Sequence, residues 1–368
     1  MNDGEIYRVW NDAVTDGGAV ALWRLPYSDE VCFIADMAGR LAGGLPELES
    51  SGVGFAVSPF VNFDGAGMLF LRADRQRVFS AEDLMKPGGV VDCHYRPKVG
   101  AGLSGSRKHF IEMVERGLSA IGRGELEKVV PSRTMEVALA ADFNPILFFA
   151  ELGRRYPSAF VSLVSMPGIG TWAGASPELL VESSAEKFRT VSLAGTQSCG
   201  GDVDLSAAAW CQKEIEEQAM VGRYIVEQFK SIRLREFTET GPETVRAGSM
   251  IHLKSEYSVD LRRVDFPHLG SEMLRLLHPT SAVCGMPRKP ACDFIVENEP
   301  VDRELYSGYL GPVNCGGVSR LYVNLRCMQI FRGSGLIYAG AGVTHSSDPG
   351  REWDETTLKC GSLLDIIA

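Results

Sequence analysis

The stretch of residues 336–359 constrains the fold of this chain more than any other. It begins with an apolar predicted strand at 336–339 and continues into the small residues Gly-Ala-Gly at 340–342. Small residues at a strand end allow a ligand or another segment to approach the backbone closely. Ser-Asp-Pro at 347–349 is typical of a helix start, with a capping side chain before a proline. We therefore predict a strand that leads through a ligand-binding loop directly into a helix.

Three charged residues on this predicted helix share one face. Glu352, Glu355 and Lys359 are spaced at i, i+3 and i+7, which places them on the same side of a helix. Two carboxylates one turn apart repel each other unless a proton or a cation lies between them. The pattern fits a solvated surface helix with a Glu–Lys pair. Because a glycine-rich strand end precedes the helix, the combined pattern also indicates a site that holds an anion beside a divalent cation.

Composition excludes several classes of protein. With 368 residues, 45% of them apolar, the chain can bury a large core and form one large domain or two. The 47 acidic and 37 basic residues give a net charge of −10 without a basic stripe, so we expect no nucleic-acid partner. We expect no membrane partner, because no apolar run approaches spanning length and no targeting segment is recognisable. The nine scattered cysteines favour reduced thiols in the cytoplasm.

The order of predicted elements indicates one large α+β domain, since neither a repeat nor a linker interrupts the chain. Residues 1–103 are the least regular part, whereas helices and strands are clearly marked in residues 104–368. Helices are predicted at 30–48, 108–121, 145–156, 204–235, 267–277 and 301–306. Strands are predicted at 52–63, 67–71, 127–137, 159–166, 170–173, 179–183, 188–193, 250–257, 322–331 and 336–339.

The long helix predicted at 204–235 also carries unusually placed carboxylates. Glu214 and Glu217 lie within its apolar stripe rather than opposite it. A carboxylate that faces the core must be paired, protonated or bound to a metal ion. A structural ion pair with a nearby lysine or arginine accounts for the pattern. Together with Glu352 and Glu355, these residues would also form an oxygen-rich cage suited to Mg2+, bound through one or two carboxylates and waters.

Two further positions carry candidate proton-transfer groups. Lys128 alternates with Val130 and Ser132 on a predicted strand, so its side chain can point inward. A desolvated lysine loses proton affinity and can act as a base; otherwise this is a strand-end lysine that reaches solvent. Gly-Ala-Ser-Pro-Glu at 174–178 predicts a tight turn that presents Glu178. This carboxyl group is either a general acid or a charge that stabilises the dipole of the next element.

A series of short motifs runs through residues 127–355. They are EKVV at 127–130, GASPELL at 174–180, LAGT at 193–196, KEIEE at 213–217, LHPT at 277–280, DRELYSG at 302–308, RC at 326–327, AGAG at 339–342 and EWDE at 352–355. In this order they resemble the chorismate-utilising enzymes, which comprise isochorismate, salicylate, anthranilate and aminodeoxychorismate synthases. The resemblance covers residues 104–368, and residues 1–103 match weakly apart from GFAVSPF at 54–60.

The resemblance implies packed, mainly antiparallel sheets with helices outside and one Mg2+ in a deep cleft. It implies that Glu217 and Glu355 bind the metal ion directly. Glu214 and Glu352 would hold its water ligands. Chorismate would be held by a set of residues in which Arg326 binds a carboxylate bidentately. The implied substrate-binding residues are Ala194, Gly195, Thr196, His252, Tyr306, Arg326, Gly340, Ala341, Gly342 and Lys359.

The chain departs from the superfamily pattern in places. Gln218 stands where most relatives have histidine, Gln197 follows Ala-Gly-Thr where arginine is usual, and Pro131 interrupts the first motif. None of these changes removes a group that the chemistry needs. The change at Gln197 leaves the role of the flanking loop open.

Two motifs distinguish superfamily members that use water as the nucleophile from those that use ammonia. Superfamily members that use ammonia have an amide at the position of Lys128, and Pro-Ile-Lys-Gly-Thr where this chain has Ser-Leu-Ala-Gly-Thr at 192–196. Water needs a base, whereas ammonia does not. The resemblance therefore implies attack of water at C2 of chorismate with Lys128 as the base. Glu178 would protonate the departing C4 hydroxyl group, giving isochorismate.

Two alternatives stay open at this point. A salicylate synthase would form isochorismate and then expel pyruvate in the same site. A non-catalytic chorismate-binding protein would keep the fold without turnover. The motifs do not show whether isochorismate is used for menaquinone, a siderophore or salicylate. They also do not show whether the protein is a monomer or a homodimer.

Overall fold

The computed structural model describes residues 4–38, 42–43, 47–61, 67–86, 88–97, 105–199, 205, 208–247 and 250–367. Within these residues the helices are α1 (Glu5–Thr15), α2 (Ala81–Leu84), α3 (Arg107–Gly122), α4 (Pro145–Arg155), α5 (Gln212–Ser231), α6 (Leu269–Leu277), α7 (Arg288–Asn298) and α8 (Pro349–Ile367). The strands are β1 (Ala19–Arg24), β2 (Glu30–Asp36), β3 (Ala42–Gly43), β4 (Gly54–Ser58), β5 (Leu69–Arg72), β6 (Arg75–Ser80), β7 (Lys128–Val129), β8 (Ser132–Ala138), β9 (Phe160–Met166), β10 (Gly170–Ser176), β11 (Leu179–Ser184), β12 (Lys187–Ser198), β13 (Thr238–Ala247), β14 (Met250–Asp260), β15 (Gly285–Met286), β16 (Tyr309–Val313), β17 (Val318–Val323), β18 (Cys327–Phe331) and β19 (Ser334–Gly340).

The first large sheet has the strand order β6-β2-β1-β9-β10-β18-β19-β8. Its neighbouring strands are antiparallel. The central strand β1 is buried on both faces, because successive side chains of a strand point to opposite sides. Val20 and Leu22 face one hydrophobic cluster, whereas Ala21 and Trp23 face another. The sheet therefore separates two apolar layers.

The second large sheet has the strand order β13-β14-β12-β11-β17-β16-β4-β5-β3. Phe55 of β4 points toward the first sheet, while Ala56 points to the opposite side. Across the space between the sheets, the rings of Trp23 and Phe55 are 5.2 Å apart. Phe160 stacks on Tyr322 with the ring centroids 4.1 Å apart. The two sheets thus pack face to face through aromatic contacts.

Helices cover the outer faces of both sheets. Trp10 of α1, Phe149 of α4 and Leu363 of α8 belong to the cluster outside the first sheet. Phe229 of α5 and Leu274 of α6 belong to the cluster outside the second sheet. Each helix buries one apolar stripe in this way, so the predicted α+β fold with helices outside is confirmed. Among the described helices, none combines the length and the apolar character that a membrane span requires.

A small sheet of β7 and β15 holds the first motif beside α3 and α7. Lys128 is opposite Met286 in this sheet, and Val129 exchanges backbone hydrogen bonds with Val343 at 3.1 and 2.8 Å. The strand predicted at 127–137 is divided into β7 and β8, because Pro131 has no N–H group to continue the pairing. The backbone at Lys128 is therefore fixed by β15 and by the loop that follows β19.

The helix predicted at 30–48 is wrong where the structure describes it. Residues 30–36 form β2, in which Val31 and Phe33 face one hydrophobic cluster and Ile34 faces the other. Burial on both faces removes the polar–apolar alternation that would have predicted a strand. Residues 39–41 and 44–46 of that prediction lie outside the described residues.

Other boundaries also differ from the sequence-based predictions. Residues 301–306 form turns rather than a helix, and Glu304 there has a φ of 47°. The strand predicted at 322–331 is two strands, because the chain turns at Arg326, where φ is 48°. The long helix begins at Gln212 and ends at Ser231; residues 208–211 are not helical, and residues 204 and 206–207 lie outside the described part. The patterns also missed α1 and α7.

Candidate active site

One pocket collects most of the residues that the sequence singled out. It lies where β12, β14 and β19 approach α5 and α8, beside the segment between β17 and β18. The predicted site residues that line it are Glu178, Ala194, Gly195, Thr196, Glu217, His252, Tyr306, Arg326, Gly340, Gly342, Glu355 and Lys359. The predicted site residues that are not part of this lining are Lys128, Glu214, Ala341 and Glu352.

Glu178 is a buried carboxyl group between β10 and β11. The residue is 3% exposed, and its Oε1 accepts a hydrogen bond from Thr280 Oγ1 at 3.5 Å. Ser176 Oγ fixes the backbone here, because it accepts from the Glu178 N–H at 3.3 Å and donates to Val323 O at 2.5 Å. Burial raises the pKa of Glu178 to about 7, although Lys128 opposes the shift. Near neutral pH this group can therefore exchange a proton with a ligand.

The motif at 174–178 is not the tight turn that the sequence predicted. β10 continues to Ser176, and Gly174 lies within this strand opposite Cys327. A Cβ atom on Gly174 would come within 2.9 Å of Arg326 O and 2.8 Å of Cys327 Cβ. The Ala175 N–H donates to Arg326 O at 3.1 Å. The small residues of β10 thus allow the chain at Arg326 and Cys327 to pack closely against this strand, and this packing fixes the backbone of Arg326.

Arg326 brings a cation to the pocket without an acidic partner. Its φ of 48° is uncommon for a residue other than glycine. Its Nη1 contacts Met250 Sδ at 3.3 Å, and no ion pair within the described residues includes it. Burial lowers the pKa of Arg326. An enclosed charge is costly without a partner, and a guanidinium group fits a carboxylate bidentately, so the pocket is suited to an anionic ligand.

His252 of β14 presents one unpaired nitrogen. Its Nδ1 lies 2.9 Å from Gly195 O and 3.3 Å from Thr196 Oγ1, so we assign the proton to Nδ1, which donates to Gly195 O. Gly195 has a φ of 69° at a bulge in β12. Burial, with a contribution from Arg326, lowers the pKa of His252 to about 3. Nε2 has no partner among the described residues, so it can accept a hydrogen bond from a ligand hydroxyl group.

Two glutamates line the helical side of the pocket, and each is paired with a lysine. Lys128 Nζ donates to Glu217 Oε1 at 2.8 Å. Lys359 Nζ lies 2.6 Å from Glu355 Oε1 and donates to Gly340 O at 2.9 Å. Burial would raise the pKa of Glu217, but Lys128, together with Lys213 and Lys359, outweighs burial and the pKa is lowered. Ammonium groups therefore balance both carboxylates.

The other two glutamates predicted for the metal site are held differently. Glu352 is 1% exposed; its Oε1 pairs with Lys213 Nζ at 2.5 Å, and its Oε2 has no partner among the described residues. Burial raises the pKa of Glu352 against the opposing effect of Lys213. Glu214 Oε2 accepts the backbone N–H of Cys211 at 2.7 Å, which stabilises the start of α5. A role for Glu214 in holding water ligands stays a prediction.

The two glycines of the Gly-Ala-Gly segment allow side chains to approach the backbone. A Cβ atom on Gly342 would lie 2.5 Å from Glu217 Oε1 and 3.3 Å from Lys128 Cε. A Cβ atom on Gly340 would lie 3.0 Å from the Tyr306 hydroxyl oxygen. The close approach expected at this strand end is therefore present, and it admits the side chains that line the pocket.

Lys128 and Ala341 are both fully buried, with different consequences. The inward orientation predicted for Lys128 is confirmed, since the residue is 0% exposed. Its charge acts on both Glu217 and Glu178. The Ala341 N–H is already bonded to Pro131 O at 3.1 Å, and its side chain lies in a hydrophobic cluster. The Ala341 N–H is therefore already used within the fold, and the binding of substrate by Ala341 stays a prediction.

The donor set of the pocket fits a magnesium ion held directly by two carboxylates. The described residues contain no group of three or more histidine, cysteine, aspartate or glutamate side chains that could hold a metal ion. Glu217 and Glu355 line the same pocket, and the buried Glu352 Oε2 is unpartnered among the residues described. Proteins often bind Mg2+ through one or two carboxylates, with waters or substrate oxygens as the other ligands. Glu217 and Glu355 fit that arrangement.

Sequence patterns assigned no role to three residues that shape the site. Thr280 donates to Glu178 Oε1, Lys213 forms a partly buried ion pair with Glu352, and Tyr338 stacks on Tyr306 with the rings 5.4 Å apart. Thr280 and Lys213 belong to the LHPT and KEIEE motifs, so motif membership was the available signal. Nothing in the sequence distinguishes Tyr338 from other strand residues.

This chain is similar in sequence to several known proteins. A family model described as "Chorismate binding enzyme" matches residues 94–368. Isochorismate synthase EntC of Escherichia coli (strain K12) is 27% identical over 263 residues, covering 70% of this chain and 66% of that protein. Isochorismate synthase MenF of the same strain is 30% identical over 263 residues, covering 70% and 59%. The matched segment thus spans less than two thirds of the length of these relatives.

Two solved structures share the fold. The structure of MenF, the menaquinone-specific isochorismate synthase from Escherichia coli, gives a TM-score of 0.77 at 22% identity and covers 95% of this chain and 89% of that chain. The structure of DhbC from Bacillus anthracis gives a TM-score of 0.77 at 21% identity and covers 98% and 99%. The structural likeness shows the fold, and the family match over residues 94–368 shows the relationship. This chain belongs to the family of chorismate-binding enzymes.

Proposed function

We propose that this protein is an isochorismate synthase, which converts chorismate to isochorismate with Mg2+ as its cofactor. One observation carries the proposal: a single pocket joins Glu178, whose pKa is about 7, to Arg326, a guanidinium group without an acidic partner among the described residues. Chorismate supplies both counterparts, because it has two carboxylates and a hydroxyl group that must leave. The relatives named isochorismate synthase support the same activity.

Chorismate would be bound mainly by strand residues. Arg326 is available to hold a carboxylate bidentately, since its charge has no acidic partner in the described part of the chain. His252 Nε2 would accept a hydrogen bond from a ring hydroxyl group, because the neutral ring keeps its proton on Nδ1. Tyr306 lines the same pocket and would contact the enolpyruvyl arm. These contacts would orient the ring for attack at C2 and departure at C4.

The reaction needs one proton donor and one proton acceptor. Glu178 would give its proton to the C4 oxygen, so that water departs as the C4–O bond breaks. Lys128 would take a proton from the incoming water as the C2–O bond forms and both ring double bonds shift by one position toward C4. Each transfer contributes about 10²–10⁴-fold to the rate. In the structure Lys128 Nζ donates to Glu217 Oε1, so it must lose a proton to solvent before it can accept one from the attacking water. After turnover Lys128 releases the proton that it gained and Glu178 takes one up from solvent, so no net proton is consumed.

Glu217 and Glu355 would hold the metal ion directly, and Glu352 and Glu214 would act through its water ligands. When bound, Mg2+ neutralises the glutamates and the ring carboxylate of chorismate. Glu214 also stabilises the start of α5, so its substitution should affect that helix as well. The oxygen donors at the pocket support Mg2+ over a softer metal ion.

Product analysis after incubation with chorismate and Mg2+ tests the proposal. We expect isochorismate as the main product on chromatography, and loss of turnover when a chelator removes the metal ion. Stoichiometric salicylate without an added lyase would contradict the proposal in favour of a salicylate synthase. Tight Mg2+-dependent binding of chorismate without turnover would contradict it in favour of a non-catalytic chorismate-binding protein.

We also infer a reducing cytoplasm as the working compartment. All nine cysteines are free, as expected where thiols are kept reduced. The substrate is a small molecule, and a monomer or a homodimer suffices because the pocket is formed within one chain. Sedimentation of the purified protein distinguishes the two states.

A further inference from the structure

We propose that Arg303 is a positioning residue that fixes the segment carrying Lys128, the base, relative to the loop that supports Glu178, the acid. This inference rests on the proposed function. Arg303 is 3% exposed and is not part of the pocket lining. It therefore acts through other residues rather than on the substrate. None of the roles described above for the pocket requires it.

The guanidinium group of Arg303 joins two backbone segments that line the pocket. Its Nη2 donates to Val130 O at 2.5 Å, and its Nη1 donates to Val283 O at 2.9 Å. Val130 lies two residues after Lys128. The Val283 N–H donates to Thr280 O at 3.1 Å, and Thr280 is the hydrogen-bond partner of the general acid. One side chain thus connects the strand of the base to the loop that supports the acid.

Glu299 completes this connection on the other side of the break at Pro131. Arg303 Nε donates to Glu299 Oε2 at 2.9 Å, and Nη2 lies 2.5 Å from Oε1. Glu299 Oε1 also accepts the Ser132 N–H at 2.7 Å. Because Pro131 interrupts the strand and cannot donate, this ion pair satisfies the Val130 carbonyl group before it and the Ser132 amide after it. The side chains of Arg303 and Glu299 are only 2% and 5% exposed.

The flat guanidinium group also contacts two aromatic rings. Its central carbon lies 4.3 Å from the ring centroid of Phe60 and 5.6 Å from that of Tyr306, which lines the pocket. The Tyr306 N–H donates to Arg303 O at 2.8 Å. A lysine can supply the charge but not this planar set of donors and faces. The geometry therefore requires arginine at this position.

The burial of this pair suggests a role in geometry rather than in net stability. Replacing a buried ion pair by neutral groups of similar volume is often neutral or stabilising, whereas removing one partner is strongly destabilising. A misplacement of about 1 Å at a reacting group can cost about 10²-fold in rate. Removal of both charges should therefore separate the two roles.

The test is the double variant Arg303→Met/Glu299→Gln in the full chain, measured by steady-state kinetics, thermal melting and amide hydrogen exchange. We expect a kcat about 10²-fold lower, with KM close to the unmodified value because Arg326 and the anchoring contacts stay. The melting temperature should fall, because the Val130 and Val283 carbonyl groups lose their donors. We also expect faster exchange at residues 128–132 and 280–285. The control is Arg320→Met/Glu182→Gln, which removes an ion pair of 2.7 Å on the second sheet outside the pocket and should leave kcat unchanged.

A folded double variant with unchanged kcat and unchanged exchange would overturn the proposal, as would a loss confined to KM. Should the double variant not fold, Arg303→Lys keeps the charge opposite Glu299 and should still lose kcat with faster exchange at 128–132; normal kcat in that variant overturns the proposal. If the unmodified protein does not convert chorismate, the proposed function fails, while the exchange measurement still tests the connection made by Arg303.

Discussion

The two sides of the pocket hold their functional groups by different means. On the strand side, formed by the ends of β10, β12, β14 and β17, backbone contacts fix Glu178, His252 and Arg326. On the helix side, formed by α5 and α8, Glu217 and Glu355 are held by lysine ammonium groups. The strand side therefore presents groups that await a ligand, whereas the helix side presents carboxylates that already have cationic partners.

This difference indicates which side is fixed before substrate arrives. Backbone hydrogen bonds and close glycine contacts leave little freedom to Arg326 and His252, so the strand side is preorganised for binding. A metal ion can replace the lysine ammonium group as the partner of a glutamate without any movement of the backbone. We therefore expect substitutions on the strand side to affect the chemistry and those on the helix side to affect the response to Mg2+.

The largest effect is expected for Glu178→Gln. The amide keeps the shape of the buried side chain but cannot give a proton to the departing hydroxyl group, so kcat should fall by about 10²–10⁴-fold. The matched control is Glu182→Gln on β11, since this glutamate pairs with arginines away from the pocket. Rates of isochorismate formation measured for both variants test the assignment. A Glu178→Gln variant as active as the control would show that another group is the acid.

Lys128→Ala should reduce isochorismate formation about 10²-fold while chorismate binding is largely kept. The side chain is buried behind the pocket lining, so it should contact the incoming water more than the substrate. Lys128→Gln, which copies the ammonia-using relatives, should fail as well. Lys254→Ala, at a lysine of β14 that pairs with Glu243, is the control. Retention of more than about a tenth of the rate would contradict a general base at this position.

On the helix side, Glu355→Gln should weaken Mg2+ binding more than Glu352→Gln does. Glu355 lines the pocket, whereas Glu352 is not part of the lining and would act through a water ligand. Loss of a group in that outer position typically costs about 10–100-fold in metal affinity, and the direct ligand should cost more. Calorimetric titration with Mg2+ measures both affinities without turnover. Equal affinities in both variants and in the unmodified protein would refute the metal assignment.

The pH dependence should show a smaller effect with a defined sign. Because burial raises the pKa of Glu178 to about 7, kcat/KM should fall as pH rises through this value and the acid loses its proton. His252, whose pKa is about 3, stays neutral over this range. The raised pKa of Glu178 also contributes to the stability of the fold. This contribution is fully present below pH 4.5, the ordinary pKa of the group, and is lost as pH rises through about 7. Melting curves should therefore show a smaller loss of stability over this range in Glu178→Gln; equal losses would contradict the shift.

Local sequence patterns predicted part of this site well. The i, i+3, i+7 spacing placed Glu352, Glu355 and Lys359 on one helix, and α8 contains all of them. The alternation at 128–132 predicted that Lys128 points inward, which burial confirms. These predictions succeeded because periodicity depends only on neighbours in the chain.

The remaining features depend on contacts between distant residues. The patterns could not show which lysine meets which glutamate, because Lys128 and Glu217 are 89 positions apart and Lys213 and Glu352 are 139 apart. They gave the wrong conformation for β2, which is buried on both faces. They also gave no sign of the hydrogen bonds from Arg303 to Val130 O and Val283 O. Tertiary packing determined each of these features.

The origin of the new oxygen atom tests the central claim most directly. The proposed mechanism adds solvent water at C2 while Glu178 protonates the departing C4 hydroxyl group. Chorismate converted in water enriched in 18O should therefore give isochorismate with one heavy oxygen at C2. Mass spectrometry of the product locates the label. Isochorismate formed at the normal rate without the label would contradict attack by water and, with it, the assignment of Lys128 as the base.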